Sequence, residues 1–418
     1  MSLVLLTLGC GSDDTSDVDP TDTGDGTIAS SANILLDKLT SDGVDLTNVQ
    51  YNFDTEQWKN WTNVSVREFP RSNGIRFRDM SAEQEELAQS LLKTSFSDQG
   101  YTLITAIHEA NVWTDERWQE QQVAAVGDPF GGFHADNSYL TFFGTPSATE
   151  PQWGYRLNGH HIGFNVVFRD DAITYTPVFI GADFRSKSNP AAIDQEMPYH
   201  EELITAAESF YNSLSSAQQS TANSGLSDRP NLKLTPANPV PEADVRNADY
   251  LADNTNGFPY RPDEENLEYG YSKESYEMNF GDGLSLSELD ESQTSALTAI
   301  VETFVGTMID EFSAVEMATI LDKWNSGVFR QVITEGSKMY YSIYIPDVVA
   351  IEFWNAEAER HYHASWSTPG RNYGGLFDDA GGRRGRSGGE AIKSSEILRH
   401  LSESDHHRDH SHDETHRH

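Results

Sequence analysis

Residues 153–168 read WGYRLNGHHIGFNVVF, and this run decides the fold class. It is long, aromatic and β-branched, the composition of strand rather than helix. Just upstream, Tyr139-Leu140-Thr141-Phe142-Phe143 has the same character and meets a turn at Gly144-Thr145-Pro146. A second strand cluster occupies 328–333, 339–345, 348–354 and 362–366. Short strands with close turns pair antiparallel, because a parallel pair needs a crossover of roughly a dozen residues or more.

Helical sequence precedes each cluster. Ser81-Ala82-Glu83-Gln84 is a capping-box pattern, and Leu87, Leu91 and Leu92 follow at helical spacing. This predicts an amphipathic helix over 81–97. Asp290-Glu291-Ser292-Gln293 opens another, with Leu297, Ile300, Val301, Phe304 and Val305 on one face, and a further helix follows at 314–324. Residues 31–39 read as a short helix. A helical pattern from about 199 is read as closed by Ser215-Ser216-Ala217-Gln218. The polar stretch 49–63 carries Phe53, Trp58 and Trp61.

The expected fold is therefore α+β, with antiparallel sheet and segregated helices. One large domain over 29–378 would be built of two analogous halves, 29–223 and 286–378. The Pro-, Asn-, Asp- and Gly-rich stretch 224–285 is the irregular connection between them. Stable order is expected to end near 378, where the spacer GGRRGRSGG at 381–389 leads to a histidine-rich tail.

Charge excludes several partners. The 418 residues carry 29 Lys and Arg against 66 Asp and Glu, a net charge of −37. Such a chain does not neutralise phosphates, so nucleic acid is excluded, as is adsorption to an anionic bilayer. Aromatic residues make up 11% of the chain, too many for a disordered polyanion.

The lone cysteine, Cys10, ends the apolar run 3–9, and the six Asp of 11–27 follow it without one basic residue. The run is shorter than the roughly 20 residues a membrane span needs. A small residue before a cysteine, then a polar tether, resembles a bacterial lipobox, although no basic segment precedes it and Thr7 stands where Leu is usual. Residues 1–28 are read as a truncated lipoprotein-type signal and acidic tether. The cell envelope or the extracellular space of a bacterium is the expected location, with membrane contact only through a lipid anchor at Cys10.

The histidines carry the chemistry. Seven of the 14 lie from His400 onward among Asp and Glu, a mixture that suits borderline divalent ions. Two compact groups lie in strands. In His361-Tyr362-His363 the two imidazoles share a face about 6–7 Å apart, a common way to seat two ligands on one ion. In His160-His161 adjacent residues point to opposite faces, so only one of them can be a third ligand. Glu352 is a candidate carboxylate ligand or general base, and Arg156 a candidate stabiliser of developing negative charge. The implied cofactor is a divalent ion, zinc or copper. His134 and His108 are weaker candidates, and His200 reads as a surface residue.

Other motifs fail on context. Gly385-Arg386-Ser387-Gly388-Gly389 has the letters of a nucleophile elbow, but no strand leads into it. His108-Glu109 does not continue into the zincin pattern, because Val112 stands where the second histidine belongs.

An ordered set of segments resembles a known family. The set is Phe143-Gly144-Thr145-Pro146, Trp153 through His161, Pro177-Val178-Phe179-Ile180-Gly181-Ala182, Tyr340-Tyr341, Ile351-Glu352-Phe353, His361-Tyr362-His363 and Asn372-Tyr373-Gly374. With the Gln84 helix it is similar to the DUF3500 family, found mostly in bacterial exported proteins, over roughly residues 50–377. The resemblance implies that His160, His161, His361 and His363 are family hallmarks, and it lends no activity. The chain departs from the family where Ser367-Thr368-Pro369 replaces Arg-Asp-Pro and Asn372 replaces Asp.

Two functions are expected to compete. One is a metal-dependent envelope enzyme, hydrolytic or oxidative. The other is an anchored lipoprotein that binds a small molecule or a metal without catalysis. A purely structural surface protein would have no cleft joining His161 to His363.

Overall fold

The computed structural model describes residues 27–59, 61, 73–120, 134–149, 152–169, 172–183, 198–223, 283–334, 338–355 and 361–377. Cys10, most of the acidic tether, the basic spacer, the histidine tail and nearly all of the 224–285 connection lie outside them.

Among the described residues twelve strands form one sheet. They are β1 (Gln50–Tyr51), β2 (Ile75–Arg76), β3 (Tyr139–Phe143), β4 (Gln152–Gly159), β5 (Ile162–Arg169) and β6 (Ala172–Thr174). Then come β7 (Val178–Asp183), β8 (Leu284–Ser285), β9 (Val328–Thr334), β10 (Lys338–Ile345), β11 (Val349–Asn355) and β12 (His361–Ser367). The order is β1-β3-β4-β5-β7-β12-β11-β10-β9-β8, with β2 also on β3 and β6 on β5. Pairing is antiparallel except between β1 and β3.

Among the described residues seven helices accompany the sheet: α1 (Ile28–Ser41), α2 (Ala82–Ser95), α3 (Asp98–Glu120), α4 (Pro198–Ser213), α5 (Ser216–Ala222), α6 (Glu291–Val305) and α7 (Asp310–Lys323). The α+β expectation holds, with a sheet that is mixed by one pair. Among the described residues no helix is long and apolar enough to cross a membrane.

One succession of elements occurs twice. A two-residue strand, a short 3-10 turn, a capping-box helix, a second helix and then antiparallel strands run from β2 through β7 and again from β8 through β12. The boxes close as the sequence predicts: Ser81 and Gln84 cap each other's backbone, as do Asp290 and Gln293. Each glutamine does a second job that only the fold reveals. Gln84 Nε2 donates to Asp42, and Gln293 Nε2 donates to the Ser213 carbonyl.

Three expectations need correction. Ser215 and Gln218 open α5 instead of closing α4, because the box satisfies N-terminal N–H groups. Helix α7 begins at Asp310, ahead of the expected 314. The run 153–168 is two strands, β4 and β5, broken at His160-His161. Helix α3 and strand β7 were not assigned from sequence.

The alternation of each strand sorts the sheet into two unlike faces. One carries Leu140, Trp153, Leu157, Phe164, Ile180, Tyr362, Trp366, Ile351 and Ile343 into the main core with α1, α2, α3, α4 and α6. The other carries Arg156, Asn165, Phe179, His361, His363, Ser365 and Glu352. Trp58, Phe53 and Tyr373 pack on this second face against Phe143 and Val167, and Trp61 packs on Phe179. Trp58 stacks on Phe143 at 3.7 Å between centroids. The polar residues that look catalytic in the sequence lie on this second face.

Candidate metal centre

The seam between the two repeats is the β7–β12 pair. In its register His363 lies opposite Gly181 and His361 opposite Asp183. The β4–β5 turn reaches the same end of the sheet and delivers His161. His161 has φ 60, a left-handed conformation that a non-glycine residue adopts at a cost of about 1–2 kcal/mol. Its carbonyl accepts from the Gly181 N–H at 2.8 Å, which holds the turn against β7. The same turn ends the strand and turns the second histidine of the pair toward β12.

Gly181 makes room for the imidazoles. A Cβ there would lie 2.9 Å from His363 Cδ2, 3.1 Å from His161 Cδ2 and 2.7 Å from the Tyr362 carbonyl oxygen. Without it, the His161 ring centroid sits 5.2 Å from that of His361 and 5.1 Å from that of His363. His361 and His363 are 4.7 Å apart and nearly perpendicular. One ligand nitrogen from each of the three lies within 4.8 Å of the others.

The spacing fits an ion. His161 Nε2 and His361 Nε2 are 3.2 Å apart. Metal–nitrogen bonds of about 2.0–2.1 Å in tetrahedral array put ligand nitrogens roughly 3.3 Å apart. Without an ion the same pair makes a hydrogen bond in which one imidazole donates and the other accepts.

His160 stands outside this set. Its ring stacks on His161 at 3.8 Å, and its carbonyl accepts from Asn111 Nδ2 of α3. It backs His161 and is not one of the three histidines whose nitrogens lie close together.

Glu352 lies on the same face, paired in register with Ser365 next to His363 along β12. It is fully buried and accepts a hydrogen bond from Tyr340 Oη at 2.8 Å. Desolvation first, and then the Glu352 charge, push the Tyr340 pKa well above its usual range. That phenol therefore stays a donor. Glu352 is not among the groups that converge within 4.8 Å.

Arg156 is not brought to the histidines. Its Nη1 donates to the carbonyls of Gln57 and Trp58, each at 2.9 Å. Its Nη2 donates to Thr141 Oγ1 and its Nε to Asn158 Oδ1. Burial lowers its pKa to about 9, which still leaves it charged at neutral pH. The guanidinium ties the Trp58 segment to the sheet.

His108 lies apart, with Nε2 3.1 Å from Ser138 Oγ. Desolvation first, and the neighbouring His134 second, lower its pKa to about 4, so it is a neutral structural imidazole. His134 accepts from the Asp136 N–H and caps a short turn.

Sequence reasoning did not mark Gly181, Phe179, Trp61 or Trp354. Phe179 and Trp354 flank His363 at 5.2 and 5.5 Å. Gly181 had one available signal, a glycine inside a run of strand residues, which marks close approach by another group.

The family model described as a protein of unknown function, DUF3500, matches residues 22–375. No curated protein and no solved structure matches the chain.

Proposed function

The chain belongs to the DUF3500 family, and on that premise we propose that it is a metal-dependent enzyme whose ion is held by His161, His361 and His363. The observation that carries this reading is that one nitrogen from each of three imidazoles lies within 4.8 Å of the others at the seam. Catalytic ions keep three protein ligands and leave a position open, whereas structural zinc is closed by four. Zinc or copper suits an all-imidazole set. A zinc ion supplies a water acidic enough to attack at neutral pH, and a copper ion supplies redox chemistry.

The residues of the chain have defined tasks in this reading. His160 holds His161 in place by stacking. Glu352, kept in position by Tyr340, is a candidate base on the same face and would act through an intervening water or substrate atom. The lipobox-like start supports an envelope protein anchored at Cys10. A second reading is a binding lipoprotein that uses the same three histidines without catalysis, and it is favoured by the absence of Glu352 from the groups that lie within 4.8 Å of one another.

The expected result is one tightly held zinc or copper ion per chain in protein shortened after residue 378, so that tail histidines do not contribute. His361→Ala is expected to release it. Protein that holds far less than one ion, with no change on His361→Ala, contradicts both readings. One ion without turnover of activated esters or oxidisable phenols selects the binding reading.

A further inference from the structure

If an ion is held by the three histidines, a ligand must reach it from the open side. On the second face of β7, β11 and β12, most described residues are closed. Phe179 is 1% exposed, Asp183 4%, Glu352 0%, Ala350 2%, Ser365 2% and Ser367 1%, and Gly181 is buried. Only His361, His363 and Trp354 are partly open among these strands. Among the described residues of these strands, the indole of Trp354 is thus the one apolar surface left partly open beside the two histidines.

Trp354 is placed for contact. It lies directly opposite His363 in the β11–β12 register, with centroids 5.5 Å apart and planes 37° from parallel. Its inner side packs against Trp61 and Phe179, so the ring is backed by aromatic mass while one part faces outward. An indole held in this way offers a flat apolar surface that loses little conformational freedom when a ligand stacks on it.

The ion sets the other end of the ligand. Three neutral imidazoles bring no charge of their own to a divalent ion, and a singly anionic oxygen donor at the open position would add to the compensation supplied by the buried carboxylates of Glu352 and Asp183 on the same face. The net charge of −37 works against polyanions. We infer that Trp354 is the platform of a ligand subsite, and that the site takes a singly charged oxygen donor carried on an aromatic ring. This rests on the metal reading above and goes further by naming the ligand class.

The test uses the full-length protein loaded with cobalt(II), whose visible absorption reports coordination. Acetohydroxamate and benzohydroxamate are titrated in turn, and the His361→Ala spectrum is subtracted to remove cobalt on the tail. Benzohydroxamate is expected to bind on the order of tenfold more tightly. Trp354→Ala is expected to bring the two affinities together, and Trp354→Phe to keep part of the preference. Equal affinities in the unaltered chain, or a preference that survives Trp354→Ala, overturn the subsite and leave the metal reading standing. A cobalt spectrum that does not depend on His361 overturns the metal reading itself. Should Trp354→Ala fail to fold, Trp354→Leu gives the same decision, because it keeps apolar bulk without a ring.

Discussion

Alanine at His161 is expected to weaken zinc or cobalt binding on the order of a thousandfold, while alanine at His160 costs only about 10–100-fold. Removing a residue that only supports a ligand typically lowers affinity 10–100-fold, so losing the ligand itself should cost more. The two histidines are neighbours in sequence and stack on each other, yet they differ in what they face. His161 Nε2 approaches His361 Nε2 at 3.2 Å, and His160 supports the ring from behind. Isothermal titration of the two variants separates the roles. Equal losses would mean that the turn is reorganised around an ion in a way this geometry does not contain. The left-handed φ of His161 adds a check, because His161→Gly relieves the backbone cost and should be more stable than His161→Ala while binding no better.

Arg156→Ala is expected to destabilise the fold by about 3–5 kcal/mol, because several buried acceptors lose their donor and each unsatisfied group costs about 1–3 kcal/mol. The loss has an identifiable origin. The carbonyls of Gln57 and Trp58 lose their Nη1 donor, and Thr141 and Asn158 lose theirs. The segment carrying Trp58 would then be held mainly by stacking on Phe143 and by the Trp58 indole N–H donating to the Phe53 carbonyl. Arg156→Lys should recover less than half of the loss, because an ammonium group cannot reproduce the fork. Urea unfolding measures both variants, and cobalt binding by the folded fraction should be unchanged. A stable Arg156→Ala protein that has lost ligand binding would instead support the catalytic role that the sequence suggested.

The legible parts of the sequence were those fixed by local chemistry. The capping boxes at Ser81 and Asp290 place two helix starts because the hydrogen bonds span only three residues. The H-x-H pattern at 361 and 363 was legible because alternate residues of a strand share a face. The break at His160-His161 was not, because the turn-like Asn158-Gly159 dipeptide is itself paired within the strands and the two turn residues are histidines, one of them with positive φ. The choice of His161 over His160 was also hidden, since it depends on a contact with a residue 200 positions away. Arg156 looked catalytic for the same reason: its partners at 57 and 58 are brought to it only by the fold. Helix α3 escaped notice although Leu103, Ile104, Ile107 and Ala110 are buried along it. Its apolar positions are diluted by polar ones, and no capping box marks its start.

The central claim is that three histidines from the two repeats of one sheet hold a single ion at the seam. Anomalous diffraction at the zinc edge, from crystals of the full-length protein grown with zinc, tests it most directly. The account predicts one strong peak within about 2.0–2.1 Å of nitrogens of His161, His361 and His363 together. Zinc found only elsewhere on the chain, with His161 Nε2 and His361 Nε2 still joined by a hydrogen bond, would contradict it.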